Sequence, residues 1–298
     1  MTATGGIAGA LRVPPQWLQL REPADAAARS AELADLLAEH LPDGPGGPGG
    51  VVLVHDLGAG TGSLCRWLGR RLDRRVGRPQ RWVLHDRDPH LLALASGPPG
   101  VAVDTRTGDV LGLTRADLAG ASVMAASALL DMLTADELAR LVAACCLPRC
   151  PVLLTLTVVG RVELDPVHPL DDELGAAFDE HQRRPARDGR LLGPDAAAAA
   201  SDAFAAAGYR VVVRPSPWRL SAGDAELTRA WLRGWVAAAC EQRPELGPGA
   251  VAYEDERRRQ LAAGRLRVTV HHADLLALPP AALPEGEGEP IEAGPRDR

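Results

Sequence analysis

The run Val152-Leu153-Leu154-Thr155-Leu156-Thr157-Val158-Val159 constrains this chain more than any other segment. A strand with one wet face alternates apolar and polar residues. This one is apolar on both faces, so it must lie inside a sheet that is covered on both sides. Four shorter candidate strands precede it, at Val51 to His55, Trp82 to Leu84, Val101 to Val103 and Ala121 to Ala126. Helical spacing follows in Ser63 to Leu72, Pro89 to Ala95 and Ala135 to Ala144. Strands that alternate with helices predict a parallel α/β sheet, Rossmann-like, with helices on both faces.

The flanks complete the layout. Residues 1–22 read as a flexible lead-in, and apolar positions from Ala27 to Leu41 recur at helical spacing, which predicts an N-terminal helix from Pro23. The breaker cluster Pro42 to Gly50 ends it. After the fifth strand, Leu170 to Gln182 and Asp195 to Ala207 read as helices on either side of a polar loop, Arg183 to Gly193. Tyr209 to Val213 is a sixth strand and Leu266 to His271 a seventh, with a helical insertion at about 223–263 between them. The expectation is one domain over 23–279 with a seven-stranded, mostly parallel sheet. Residues 280–298, rich in Pro, Glu and Gly, read as a disordered tail.

Composition limits the chemistry. The sequence holds neither lysine nor asparagine, so all 33 of its Lys-plus-Arg positions are arginine. That excludes a Schiff-base lysine, a Walker A phosphate lysine and an N-glycosylation acceptor. A formal net charge of -6 argues against a nucleic-acid partner, which calls for a basic patch. The five cysteines show no paired CxxC spacing, so neither a metal site nor a disulfide framework is expected. No apolar run is long enough for a membrane span and no signal peptide pattern opens the chain, which together give a cytoplasmic expectation.

The chemistry-bearing motif is His55-Asp56-Leu57-Gly58-Ala59-Gly60-Thr61-Gly62, between the first strand and its helix. Gly58, Gly60 and Gly62 let backbone pass close to a ligand, with Ala59 between them. Asp56, just ahead of the glycines, suits an ammonium group and would repel a phosphate. Asp86, at the end of the second strand with Arg87 beside it, can accept hydrogen bonds from both hydroxyls of a ribose. Gly108-Asp109 follows the third strand, where an acid can reach an adenine amine. Ammonium, ribose and adenine sites in that order describe S-adenosylmethionine.

Asp56 to Gly62 resembles motif I of class I S-adenosylmethionine-dependent methyltransferases, and Asp86 and Gly108-Asp109 resemble their ribose and adenine positions. Ala126 to Asp131 resembles the segment after the fourth strand that lines their active site, which brings in Ser127 beside the cofactor and Asp131 beside the substrate. The Ser-Pro-Trp-Arg-Leu run and the Trp231 to Trp235 helix resemble uncharacterised actinobacterial members. The family implies transfer of a methyl group by in-line displacement, with S-adenosylmethionine as cofactor and no metal. Ala126-Ser127 departs from the signature of amino-group DNA methyltransferases, so the expected acceptor is a small molecule.

Two other readings stay open. A nicotinamide- or flavin-binding Rossmann oxidoreductase would need Gly or Ala where Ser63 stands. A non-catalytic binding module with the same fold is the other. For the acceptor pocket, the connections after the later strands offer His168, His181, Trp218 and Arg219. His181 is the candidate base, because imidazole titrates near neutrality, and the Arg183 to Gly193 loop is a candidate lid. His55, His85, His271 and His272 read as structural, and Glu256-Arg257-Arg258-Arg259 as an exposed charged face.

Overall fold

The computed structural model describes residues 13–42 and 50–280. Two helices come first, α1 (Pro15–Ala28) and α2 (Ala31–Glu39). Then follow β1 (Val52–Leu57), α3 (Ser63–Val76), β2 (Gln80–Asp86), α4 (Pro89–Ala93), β3 (Ala102–Thr107), β4 (Val123–Ser127), α5 (Ala135–Cys146) and β5 (Val152–Asp165). The remainder is α6 (Asp171–Gln182), a small hairpin of β6 (Pro185–Ala186) and β7 (Gly189–Arg190), α7 (Ala196–Ala206), β8 (Arg210–Pro215), β9 (Trp218–Leu220), α8 (Ala225–Gln242), α9 (Gly247–Ala262) and β10 (Arg267–Leu278).

The main sheet runs β3-β2-β1-β4-β5-β10-β8, with β9 also paired to β10. The first five strands are mutually parallel, and β10 alone runs against its neighbours. This is a mostly parallel, Rossmann-like α/β sheet. The expected sixth strand is present in two pieces. Ser216 and Pro217 break it, so that β8 pairs with the end of β10 and β9 with its beginning, making eight strands where seven were expected. A proline has no N–H to give a ladder, which explains a break at that point.

Two largely aliphatic clusters cover the faces of the parallel half. One holds Leu130, Leu141, Leu154 and Phe204, and the other Leu33, Leu68, Val54 and Trp82. A third cluster lies elsewhere. Beyond the parallel strands, β5 and β10 continue as a long antiparallel pair, and α6, α8 and α9 pack on that extension through Leu174, Trp218, Trp231, Trp235, Tyr253 and Val268. Of the ten aromatic residues in the chain, six (these four plus Trp17 and Phe178) belong to this cap or pack against it.

Three expectations need correction here. The segment 15–22, read as flexible, is the first half of α1, and the chain has two N-terminal helices where one was expected from Pro23. Pro14 and Pro15 preset the start, and Ser30 separates the two by capping α2, accepting from the Leu33 amide at 3.2 Å. Second, Arg257 is not on an exposed face. It is fully buried and donates to both Asp171 oxygens, to the Pro166 carbonyl at 2.6 Å and to Gln260 at 2.8 Å. Third, the Arg183 to Gly193 loop is tied down. It folds into the β6–β7 hairpin, Thr134 pairs with Leu191, and the Leu192 amide donates to the Leu133 carbonyl at 2.8 Å. The tail at 281–298, the lead-in at 1–12 and most of the breaker cluster lie outside the described residues.

Candidate active site

Parallel α/β sheets bind ligands outside the carboxyl ends of their strands, where the order reverses. In this chain the reversal lies between β1 and β4, and a cavity of about 920 Å³ opens there. That is near the upper end of the range of about 300–1,000 Å³ usual for small-molecule pockets. Asp56 is the penultimate residue of β1, Asp86 the last of β2 and Ser127 the last of β4, while Asp109 lies just past β3. All four line the cavity, as do Gly58, Ala59, Gly60, Arg87, Gly108, Asp131 and Trp218.

The glycine turn is built for close approach. Gly58 and Gly60 have φ of +70° and +55°, where side chains are strained. A Cβ at Gly60 would also meet Leu18 of α1 at 3.0 Å. Asp86 shapes the turn, because its carboxylate accepts from the Gly60 amide at 2.8 Å and from the Asp88 amide at 2.9 Å. A carboxylate has roughly four acceptor positions, so these two bonds leave room for ribose hydroxyls. Gly62 does not line the cavity, contrary to the sequence reading. Its φ of +84° turns the chain into α3, and a Cβ there would stand 2.7 Å from the Ser96 carbonyl. Its contribution is to the turn.

The least expected resident is Arg29. It follows α1, is buried, and reaches the cavity floor, where it donates to Ser127 Oγ at 3.1 Å and to Ser63 Oγ at 3.2 Å. Its Nε and Nη1 find no partner among the described residues, and neither does either carboxylate oxygen of fully buried Asp56. Burial pushes the Asp56 carboxyl up to about 7, against the pull of Arg29 and with a smaller push from Asp86. Unsatisfied buried polar atoms are costly unless a ligand completes them. Here a donor and an acceptor of opposite charge are left open together, beside a glycine turn.

Above them lies α1. Its residues Trp17, Arg21 and Asp25, with Arg29 beyond, stand four apart on one face and line the cavity together with Leu18. Asp25 is buried and accepts from the Trp218 Nε1 at 2.9 Å and from Arg21 at 2.9 Å. Glu22, one position after Arg21, accepts a bidentate pair from Arg66 of α3. The sequence did carry this signal, in the spacing Trp17-Arg21-Asp25-Arg29, but the surrounding Gly and Pro masked it.

Three proposed pocket residues lie off the cavity. His181 packs between α6 and α8, with its Nε2 3.6 Å from Glu241, and burial lowers its pKa. His168 sits edge-on to Tyr253 of α9, ring centroids 4.9 Å apart, and accepts from the Leu170 amide at 3.1 Å. Arg219 alternates outward on β9 between buried Trp218 and Leu220, and is exposed. His55 and His85 are buried in the sheet, joined by one hydrogen bond of 2.9 Å, and held neutral by burial, with pKa values of about 4. His272 does face the cavity, but burial drives its pKa to about 3, which makes it a poor base.

Two backbone positions in the cavity wall are strained. Ala128 and Leu156 have φ of +51° and +58°, in a region few non-glycine residues adopt. Leu156 is held there by buried Asp274, which accepts from its amide at 2.8 Å, from the Ser30 amide at 2.7 Å and from the Ser216 hydroxyl. One carboxylate of β10 thus ties the fifth strand, the start of α2 and the break in the sixth strand to one another.

No family pattern matches the chain. No curated protein matches it either. Solved structures with a similar backbone include a SAM-dependent methyltransferase from Geobacter sulfurreducens in complex with S-adenosyl-L-homocysteine, 20% identical over 91% of this chain and 100% of that one, with a TM-score of 0.42. Another, from Thiobacillus denitrificans and in complex with the same compound, is 16% identical over 91% and 100%, with a TM-score of 0.43. The cyclopropane synthase MmaA2 from Mycobacterium tuberculosis is 14% identical over 89% and 94%, with a TM-score of 0.45. These are likenesses of fold.

Proposed function

We propose that the chain is an S-adenosylmethionine-dependent methyltransferase acting on a small molecule. The observation that carries this reading is the pair of open groups at the glycine turn, Asp56 and Arg29. A zwitterionic amino-acid end completes both at once, its ammonium on Asp56 and its carboxylate on Arg29. Asp86 and Asp109 stand at the next two strand ends, where ribose hydroxyls and an adenine amine follow in the same molecule. A dinucleotide fits this site poorly, because its pyrophosphate would be repelled by buried Asp56 beside the glycine turn, which a pyrophosphate cannot complete.

When bound, the sulfonium supplies an already activated methyl group. The protein's part is to align the acceptor and exclude water. Arg29 and Asp56 fix the amino-acid end, and the Gly58 to Gly60 turn gives it room. Trp17, Leu18 and Arg21 of α1 line the cavity alongside them.

Calorimetry with S-adenosylhomocysteine tests the reading. Binding in the micromolar range, about -8 kcal/mol, is expected. A folded protein that fails to bind it, while binding NADH or a flavin, overturns the proposal.

A further inference from the structure

The cavity of about 920 Å³ has a second wall of different character from the glycine-turn side. Trp17, Phe178, Trp218 and Trp231 line that side. They are four of only ten aromatic residues in the chain, so the concentration is not a matter of composition. Such faces stack on planar rings and exclude water. Their polar companions are few. Arg21 is paired with Asp25, and its guanidinium lies 5.0 Å from the centre of the Trp218 ring. His272 is neutral. Asp131 is left, on the turn after β4, facing the cavity with no side-chain partner among the described residues.

Building on the function proposed above, we infer that the acceptor is a hydroxyarene, stacked among Trp17, Phe178, Trp218 and Trp231, and that Asp131 is the catalytic residue that takes its hydroxyl proton. In the step, the arene oxygen forms a bond to the methyl carbon as the carbon–sulfur bond breaks. The electron pair of that bond stays on sulfur, and the O–H proton passes to Asp131. Burial raises the Asp131 carboxyl above its ordinary range, against the pull of its own backbone amide, Arg21 and Arg184, which suits it to accept a proton. Arg21, although ion-paired with Asp25, keeps a guanidinium over the Trp218 face, which favours the negative charge that develops on a phenolic oxygen.

The test uses the full chain with methyl-labelled S-adenosylmethionine and four probes: 2-naphthol, 4-nitrophenol, 2-naphthylamine and 1-decanol. Both phenols should be labelled, and the amine and the alkanol at least about tenfold more slowly. Asp131→Asn should cut kcat for 2-naphthol about a hundredfold, the scale of a lost general base. For 4-nitrophenol, already ionised at pH 8, the loss should stay under about fivefold, because no proton remains to be taken. Affinity for S-adenosylhomocysteine, and quenching of tryptophan fluorescence by 2-naphthol, should change by less than about threefold in the variant. Equal losses for both phenols would overturn the role of Asp131. Preferential labelling of the amine, or no labelled arene despite bound S-adenosylhomocysteine, would overturn the acceptor class. Failure of the parent protein to bind S-adenosylhomocysteine at all would instead remove the function on which this inference rests.

Discussion

The two sides of the cavity are made by different means. The cofactor side is local apart from Arg29: a turn and three strand ends, with acids at the ends of β1 and β2 and just past β3. The cap side is assembled from α1, α6, β9, α8 and β10, residues spread over more than 250 positions of sequence. The first is polar and leaves charges open. The second is aromatic and closes most of its charges internally, as Arg21 with Asp25 shows, with Asp131 the exception. A site built locally can be read from short motifs, whereas one built from distant helices depends on how they pack.

Arg257→Ala gives the largest effect that separates the two sides. It leaves Asp171 partly buried without its partner and frees α9 from the start of α6. Unfolding by urea should show a loss of about 3–5 kcal/mol. Affinity for S-adenosylhomocysteine, measured on protein that is still folded, should change by less than about 0.5 kcal/mol. A parallel fall in both would mean that the cap and the cofactor side are one unit.

On the cofactor side, Arg29→Ala should weaken S-adenosylhomocysteine by about 1.5–3 kcal/mol, the scale of a hydrogen bond to a charged group. S-adenosyl analogues that lack the carboxylate should lose much less, and equal losses would take Arg29 away from the ligand. Asp56 adds a pH dependence. Its carboxyl titrates at about 7 and must be ionised to hold an ammonium group. Below that value each ligand bound displaces a proton, so affinity should rise with pH by up to about tenfold per unit and level off above about 7. Asp56→Asn should flatten the curve, and a curve that keeps its slope assigns the proton elsewhere.

The smallest effects belong to residues that the sequence favoured and the cavity does not include. His181→Ala and Arg219→Ala should each leave S-adenosylhomocysteine affinity within about 0.5 kcal/mol and methyl transfer nearly unchanged. A tenfold fall in turnover for either would put the acceptor wall beyond the cavity described above.

The parallel half was legible because each of its strands carries its own signal. The two-sided apolar run of β5 and the glycine turn after β1 are read within a dozen residues. Asp56, Asp86 and Asp109 were legible for the same reason, since position relative to a strand end is a local property. Arg29 was less so: its spacing with Trp17, Arg21 and Asp25 is helical, but nothing in the sequence around it shows that α1 folds back over the sheet. Arg257 misled for a related reason. It stands in a run of three arginines, and only the packing of α9 on α6 separates the buried one from its exposed neighbours. His181 looked suitable by pKa and by its place after β5, but the helical face that carries it is turned to α8.

Arg29 follows α1 and Trp17 lies in its first turn, so one helix touches both compartments. That shared contact is a route by which the two proposed ligands are coupled. Whatever free energy a bound cofactor adds to the seating of α1 is available to the acceptor, and the acceptor returns the same amount. Linkage then requires each proposed ligand to change the other's dissociation constant by one common factor.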